Sequence, residues 1–371
     1  MVLGLLPSIR GGLGELAKTG QHSRLIEGYL RPYARAFDEV RYFSYLREAL
    51  HQYVTDTELL ARVRLLPGGA WHPWVYGFLM PIRYAAAFRG CAVLRVFQVL
   101  GTLPAVLAKR RFGVPYVTTY GFWYGKLARS RTTRLLRRIV ENVGLRSAQA
   151  VIVTTPEIEA YISTRIDAAR IHLIPNGVDT TRFVPVSRPW RAKKRVLYVG
   201  RLSEEKNLDT LIEATAKLLG RFDIGLTLVG EGPLHASLDR SARERRVPVE
   251  FIPVVEHGEL PRYLQDADAF VLPSLTEGHP KVLLEAMSAG VPCVASDVDG
   301  SRAVLTDGET GLLFDPLDAC ALASHLERLL TDLDLARRIG ARARAAVLER
   351  YDLSRLVERE IALLIRVATA H

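Results

Sequence analysis

Arg201 and Lys206 follow the apolar run Val196-Leu-Tyr-Val199 and Gly200, just ahead of a helical pattern that begins near Leu208. A strand end, a glycine and two cations beside a helix start form a grip for a diphosphate, because amides and helix dipole add to the two side-chain charges. Two solvated surface cations would read the same way. Val229-Gly230-Glu-Gly232-Pro233 repeats the arrangement, with a helix near Leu234, and its glycines suit either close approach of backbone to a ligand or a plain tight turn. A third segment, Leu272-Pro-Ser-Leu-Thr-Glu277-Gly278-His279-Pro280-Lys281-Val282-Leu-Leu-Glu285, carries two carboxylates. Pro280 suits the first turn of a helix, which sets Glu277 just before its start and Glu285 about a turn and a half inside. Such a glutamate pair arises by chance on the order of once in a chain of this size. Its place after a strand, at the ligand end of a sheet, makes it a candidate.

The first half offers a rival chemistry. Gly12-x-Gly14-x-x-Ala17 formally fits a dinucleotide fingerprint, with Asp38 and Glu39 at roughly the expected distance. That would make the protein a dinucleotide-dependent oxidoreductase. Against it, Pro7 to Arg10 separate the glycines from the opening strand, and the acids precede the second strand instead of ending it. No histidine or cysteine stands in metal-ligand spacing, so no metal is expected. His279 is singled out among the histidines because it lies inside the third segment. The aromatics Trp71, Trp74, Tyr76, Phe78 and Tyr120, Phe122, Trp123, Tyr124 suit core packing, an acceptor-side lining or a membrane face.

These residues need two sheets to position them. β-branched and aromatic runs alternate with helical patterns along all 371 residues, which predicts parallel sheets made of βαβ units. Strands are expected near 2–6, 40–45, 63–66, 93–98, 116–119, 150–153 and 172–174, then near 195–199, 226–229, 250–252, 269–272, 293–295 and 312–314. The length suits two doubly wound α/β domains facing a cleft, joined near 184–194, where Pro185 and Pro189 interrupt regular structure. A last helix is expected from Tyr351.

Charge is uneven. Residues 1–188 hold 26 Lys/Arg and 12 Asp/Glu, a net +14, while residues 189–371 hold 24 and 28, a net −4. From Arg83 to Arg146 there are 13 basic residues and one acid, Glu141, a segment charge of +12. Such a belt favours phosphate-rich partners: anionic membrane, lipid-linked anions or, absent a recognisable module, less readily nucleic acid. Cys91, Cys293 and Cys320 are far apart and odd in number, which fits a reducing compartment. Met1 to Pro7 has no basic n-region and no stretch is long and apolar enough to span a bilayer, so neither export nor an integral span is expected.

The three second-half segments together resemble the donor-binding domain of the retaining GT-B glycosyltransferases, group 1 or family 4, that carry an E-x7-E motif. Asn176-Gly-Val-Asp-x-x-x-Phe183 and Leu260-Pro-x-Tyr-Leu-x-x-Ala-Asp268 look like that family too, and the resemblance covers about residues 150–350. It implies a GT-B architecture with an acceptor domain at 1–185, a donor domain at 186–350 and a helix at 351–371 packing back on the first domain. It further implies a retaining transferase that takes a UDP- or GDP-sugar, with no cofactor and no metal. Arg201 and Lys206 would bind the donor phosphates, Glu277 the sugar and Glu285 the ribose hydroxyls. Gly200, Gly230, Gly232, Gly278, His279, Lys281 and Val282 would complete the donor cradle, with Gly12 and Gly14 facing the diphosphate across the cleft. Gln21, Arg24, Tyr120 and Trp123 fall on the acceptor side.

Two positions depart from the family pattern. Pro280 stands where many members have glycine, which removes one N–H from the cradle. Tyr120 stands where many have a histidine, so no catalytic role is assigned to it. The acceptor is expected to be a glycan or a lipid-linked sugar, and the enzyme to be cytoplasmic, at the inner face of the membrane, without nucleic acid. A nucleotide-sugar epimerase of the same architecture is the nearest alternative. Loss of either Arg201 or Lys206 is expected to lower turnover far more than stability.

Overall fold

A computed structural model describes residues 1–122, 131–187 and 191–370, and only the backbone of 131–134 and 136. The chain forms two compact units, Met1–Pro175 with Ser354–His371, and Asn176–Leu353.

The first unit is built on seven parallel strands: β1 (Val2–Leu6), β2 (Glu39–Phe43), β3 (Val63–Leu66), β4 (Val93–Val96), β5 (Tyr116–Tyr120), β6 (Ala150–Val153) and β7 (Ile171–Leu173). Their order is β3-β2-β1-β4-β5-β6-β7. The second holds six: β8 (Lys194–Val199), β9 (Ile224–Val229), β10 (Val249–Ile252), β11 (Ala269–Leu272), β12 (Cys293–Ser296) and β13 (Leu312–Phe314), ordered β10-β9-β8-β11-β12-β13. Every expected strand is present. They were legible because a parallel strand covered on both faces reads as an unbroken apolar run, as in Ala150-Val-Ile-Val153 and Ala269-Phe-Val-Leu272, where every residue is buried.

In both sheets the order reverses beside the first strand, between β1 and β4 and between β8 and β11. These are the points where an open α/β sheet leaves a crevice at the carboxyl ends of its strands. The Gly11–Gly14 loop follows β1, the Arg201–Lys206 loop follows β8 and Glu277 follows β11.

The units divide after Pro175, ahead of the linker expected at 184–194, and after Leu353, close to the expected start of the last helix. Residues 176–187 are held by the second unit, since Val178 and Phe183 belong to its core. Val178 N donates to Tyr351 O at 2.9 Å, Leu353 N donates to Val178 O at 3.0 Å, and the Arg344 guanidinium donates to the carbonyls of Phe183 and Thr180. The last helix, Leu353–Thr369, is fixed within the first unit by a buried ion pair, Arg95 Nε to Glu360 Oε1 at 2.6 Å. Tyr33 donates its hydroxyl to the same carboxylate.

Candidate active site

The loop after β8 leaves the sheet at Gly200 (φ 156°), passes the exposed Arg201 and makes a 3-10 turn over Glu204–Lys206. Asn207 (φ 53°) then starts the helix Leu208–Ala216. Asn207 adopts this left-handed conformation while its amide donates to Pro273 O at 3.2 Å and Pro316 O at 2.6 Å. Leu275 N donates to Glu205 O at 2.9 Å, so the β8 and β11 loops are tied together. The result is a direct contact, Lys206 Nζ to Glu277 Oε1 at 2.6 Å, with the two side chains 21% and 10% exposed. Among the described residues no hydrogen bond or ion pair engages the Arg201 side chain.

The glycines of the two strand-end loops serve each other. A Cβ on Gly230 (φ 134°) would lie 2.1 Å from Gly200 O, and one on Gly232 would lie 2.2 Å from Leu202 O. Leu202 N donates to Glu231 O at 3.0 Å and Leu234 N to Leu202 O at 3.1 Å. The close approach that requires glycine is therefore between the two loops, a use the sequence did not distinguish from an approach to ligand. Helix His235–Glu244 begins one residue after Leu234.

After β11, Gly278, His279 and Pro280 are buried and Lys281 and Val282 half-buried. Pro280 is the N-cap of the helix Lys281–Ser288, with ψ 109°, and so stands just outside the first turn. Gly300, which the sequence reading missed, lets the next loop press on this backbone: a Cβ there would lie 2.5 Å from Gly278 O and 2.6 Å from Glu277 O. His279 packs its ring 5.4 Å from that of Tyr351, and burial with Lys281 nearby lowers its pKa to about 3, leaving it neutral. Its carbonyl accepts from Asn176 Nδ2 at 2.8 Å, which gives the Asn176–Phe183 segment a direct part in holding this loop.

Glu285 is 2% exposed, and His257 Nε2 lies 2.9 Å from its Oε1. His257 is itself buried, its ring 5.3 Å from Phe183. As placed, Glu285 is a covered carboxylate with a histidine neighbour. His257 was not singled out in the sequence, because a lone histidine 28 residues from Glu285 carries no local signal.

In the first unit, helix Leu13–Ala17 follows the glycine loop, and its first two amides already have an acceptor. Leu13 N donates to Glu48 Oε1 at 3.0 Å and Gly14 N to Glu48 Oε2 at 2.7 Å, while Ser44 and Tyr53 donate their hydroxyls to the same carboxylate. A Cβ on Gly12 would strike Glu48 Oε1 at 2.7 Å. The acceptor at these two amides is thus a carboxyl group of the chain itself. Of the acceptor-side residues, Tyr120 and Arg24 are buried and Gln21 is half-buried. Trp123 lies outside the described residues, as does Tyr124. Tyr76 is buried, whereas Trp71 and Phe78 are exposed.

Among the described residues no group of three His, Cys, Asp or Glu could hold a metal ion, and no helix is long and apolar enough to cross a membrane. A cavity of about 580 Å³ lined by Lys193, Arg195, Gly225, Glu250, Tyr263 and Asp266 lies at the amino-terminal halves of β8 to β10. That is the opposite end of the strands from Arg201 and Gly230, so it is not the crevice of the switch point.

The two doubly wound parallel sheets agree with comparisons to known proteins. Residues 182–346 match the family model described as Glycosyl transferases group 1, and residues 23–182 match Glycosyltransferase Family 4. A glycogen synthase of Mycobacterium tuberculosis is 34% identical over 253 residues, 66% of this chain and 60% of the synthase. A phosphatidyl-myo-inositol mannosyltransferase of the same species is 36% identical over 231 residues, 59% of each chain. The chain thus spans about 60% of the length of these curated relatives. Sucrose-phosphate synthase from Thermosynechococcus elongatus has the same fold, with TM-score 0.84, 25% identity and full coverage of both chains.

Proposed function

The chain belongs to the group 1 glycosyl transferases, and we propose that it moves a hexose from a UDP- or GDP-sugar to a glycan or lipid-linked acceptor, with retention at the anomeric carbon and without a metal ion. The observation that carries this reading is the contact of Lys206 with Glu277, beside the exposed Arg201, at the switch point of the second sheet. In it, a positive charge and a carboxylate meet where a diphosphate and its sugar would lie.

On this reading the two cations stabilise charge on the leaving diphosphate, which is the part a metal would otherwise play. Bound donor draws Lys206 toward phosphate, and the released Glu277 positions the sugar ring and favours positive charge at its anomeric carbon. The leaving phosphate accepts the acceptor's proton. Glu285 takes the ribose hydroxyls, for which its carboxylate has to share or leave its contact with His257. Backbone from Gly278 to Val282 completes the cradle. No donor contact is assigned to the Leu13 and Gly14 amides, which Glu48 occupies. The first unit holds the acceptor, and its basic belt favours an anionic surface, placing the enzyme at the inner face of a membrane.

The test is a thermal-shift panel of UDP, GDP, UDP-sugars, GDP-mannose, NADH and RNA. A ligand at 100 times its dissociation constant adds about 2.7 kcal/mol to the stability of the form that binds it. A nucleoside diphosphate or its sugar should stabilise, and product analysis with that donor should then show transfer. Stabilisation by NADH or RNA alone would overturn the reading.

A further inference from the structure

Helix Pro73–Arg83 in the first unit presents an uncharged face to solvent. No Lys, Arg, Asp or Glu occurs from Leu65 to Ile82. Val75, Phe78 and Ile82, spaced three and four residues apart, line one side and are 46%, 53% and 67% exposed, and Trp71, two residues before the helix starts, is 58% exposed. The other side already buries Tyr76, Gly77, Met80 and Pro81. An ordinary surface helix needs only one apolar side, and a contiguous exposed apolar row marks a docking surface.

A second row lies across the helix Leu103–Phe112. Leu135, Ile139 and Val143 of helix Arg131–Ser147 are exposed at four-residue spacing. This helix and Pro73–Arg83 both pack against the same helix, Leu103–Phe112. The exposed charges of the layer are all of one sign: Arg83, Arg89, Arg110, Arg111, Arg138 and Arg146, whereas Glu141, the belt's single acid, is buried. A second copy of the chain docking here face to face would bring these arginines against each other. A bilayer with anionic headgroups offers hydrocarbon to the rows and phosphate to the guanidiniums.

We propose that this helix layer seats on an anionic bilayer, with Trp71, Val75, Phe78 and Ile82 entering the boundary between headgroups and acyl chains and the surrounding arginines contacting lipid phosphate. The helix is about 16 Å long at 1.5 Å per residue, long enough to lie in the interface and too short to span. The inference deepens the membrane-side reading of the basic belt, yet its test needs neither donor nor acceptor.

Co-sedimentation with phosphatidylglycerol and with phosphatidylcholine vesicles, at low salt and at about 0.5 M salt, separates apolar from charge binding. Wild-type protein should bind the anionic vesicles and keep part of that binding at high salt. The triple variant Trp71→Ser, Phe78→Ser, Ile82→Ser should lose about tenfold or more of its partitioning. A measurement on intact protein guards against misfolding of the variant: brominated phosphatidylglycerol should quench tryptophan emission, and quench it less in Trp71→Phe. Undiminished binding by the triple variant, or no quenching, would overturn insertion and leave a charge-only surface. Absence of wild-type binding at any salt would overturn both membrane statements while leaving sugar transfer to the donor panel. A dimer that the triple variant turns into monomer, with vesicles ignored, would assign the face to a second copy.

Discussion

Lys206 and Arg201 differ in what they do before any donor arrives, and that difference makes their variants distinguishable. Arg201 is exposed, with no side-chain hydrogen bond or ion pair among the described residues, whereas Lys206 is paired with the buried Glu277. Arg201→Ala should therefore lower turnover by about 10- to 150-fold, the value of a charge-assisted contact to a leaving group, with an unchanged melting temperature. Lys206→Ala should lower turnover as much and also lose stability, by roughly 1–3 kcal/mol, because it leaves a carboxylate buried without its partner. This revises the expectation that stability is spared at both positions. Turnover with a competent donor and thermal melts check it, and near wild-type rates in both variants would remove the phosphate assignment. The glutamates should part in kinetics, Glu277→Gln lowering kcat and Glu285→Ala raising the donor KM, since ribose contacts persist throughout the reaction. No effect from either would make the pair a packing feature. At this scale the sequence shows residues whose neighbours are close in the chain or at strand ends. It does not show Glu48, which reaches amides 34 and 35 residues away, or His257 beside Glu285, because no spacing rule ties such groups together.

The loops that carry these residues are held by backbone contacts between elements, where glycine is required by a neighbouring chain. Gly230 combines φ 134° with a would-be Cβ only 2.1 Å from Gly200 O, so an alanine there must push the β8 loop away. Gly230→Ala should cost about 1–3 kcal/mol, or roughly 2–12 °C for a unit of this size, and displace Arg201 with its loop. Gly225→Ala, inside β9, is the control: its Cβ would meet nothing nearer than Lys193 Cε at 3.7 Å, and it should melt like the wild type. Equal melting of the two variants would refute the loop–loop account. Central strands such as Ala150–Val153 and Ala269–Leu272 were readable because a strand buried on both faces is an unbroken apolar run. The use of a glycine at its end was not, because a tight turn, a ligand and a neighbouring loop all require the same residue.

At the scale of the whole chain, the least legible feature is the contact by which the last helix completes the first unit. Helical spacing from Leu353 onward predicts that a helix exists, but not the pairing of Glu360 with Arg95, 265 residues earlier on β4. Arg95 is 3% exposed and Glu360 4% exposed, and Tyr33 adds a third buried polar group. Replacing such a group by well-packed apolar residues can be neutral, but removing one partner leaves a buried charge and typically costs about 3–5 kcal/mol. Glu360→Ala should therefore destabilise the first unit strongly. Glu360→Gln, which can still accept one hydrogen bond, should cost less but leave the guanidinium uncompensated. Hydrogen exchange resolved by peptide is the suitable readout, because local opening shows in the segments that lose protection. In both variants, amides of residues 1–175 and 354–370 should exchange faster, most in β4 and around Tyr33, while those of 176–353 keep wild-type protection and nucleotide binding by the second unit persists. Faster exchange spread evenly over both units would mean that the ion pair supports the chain as one cooperative block.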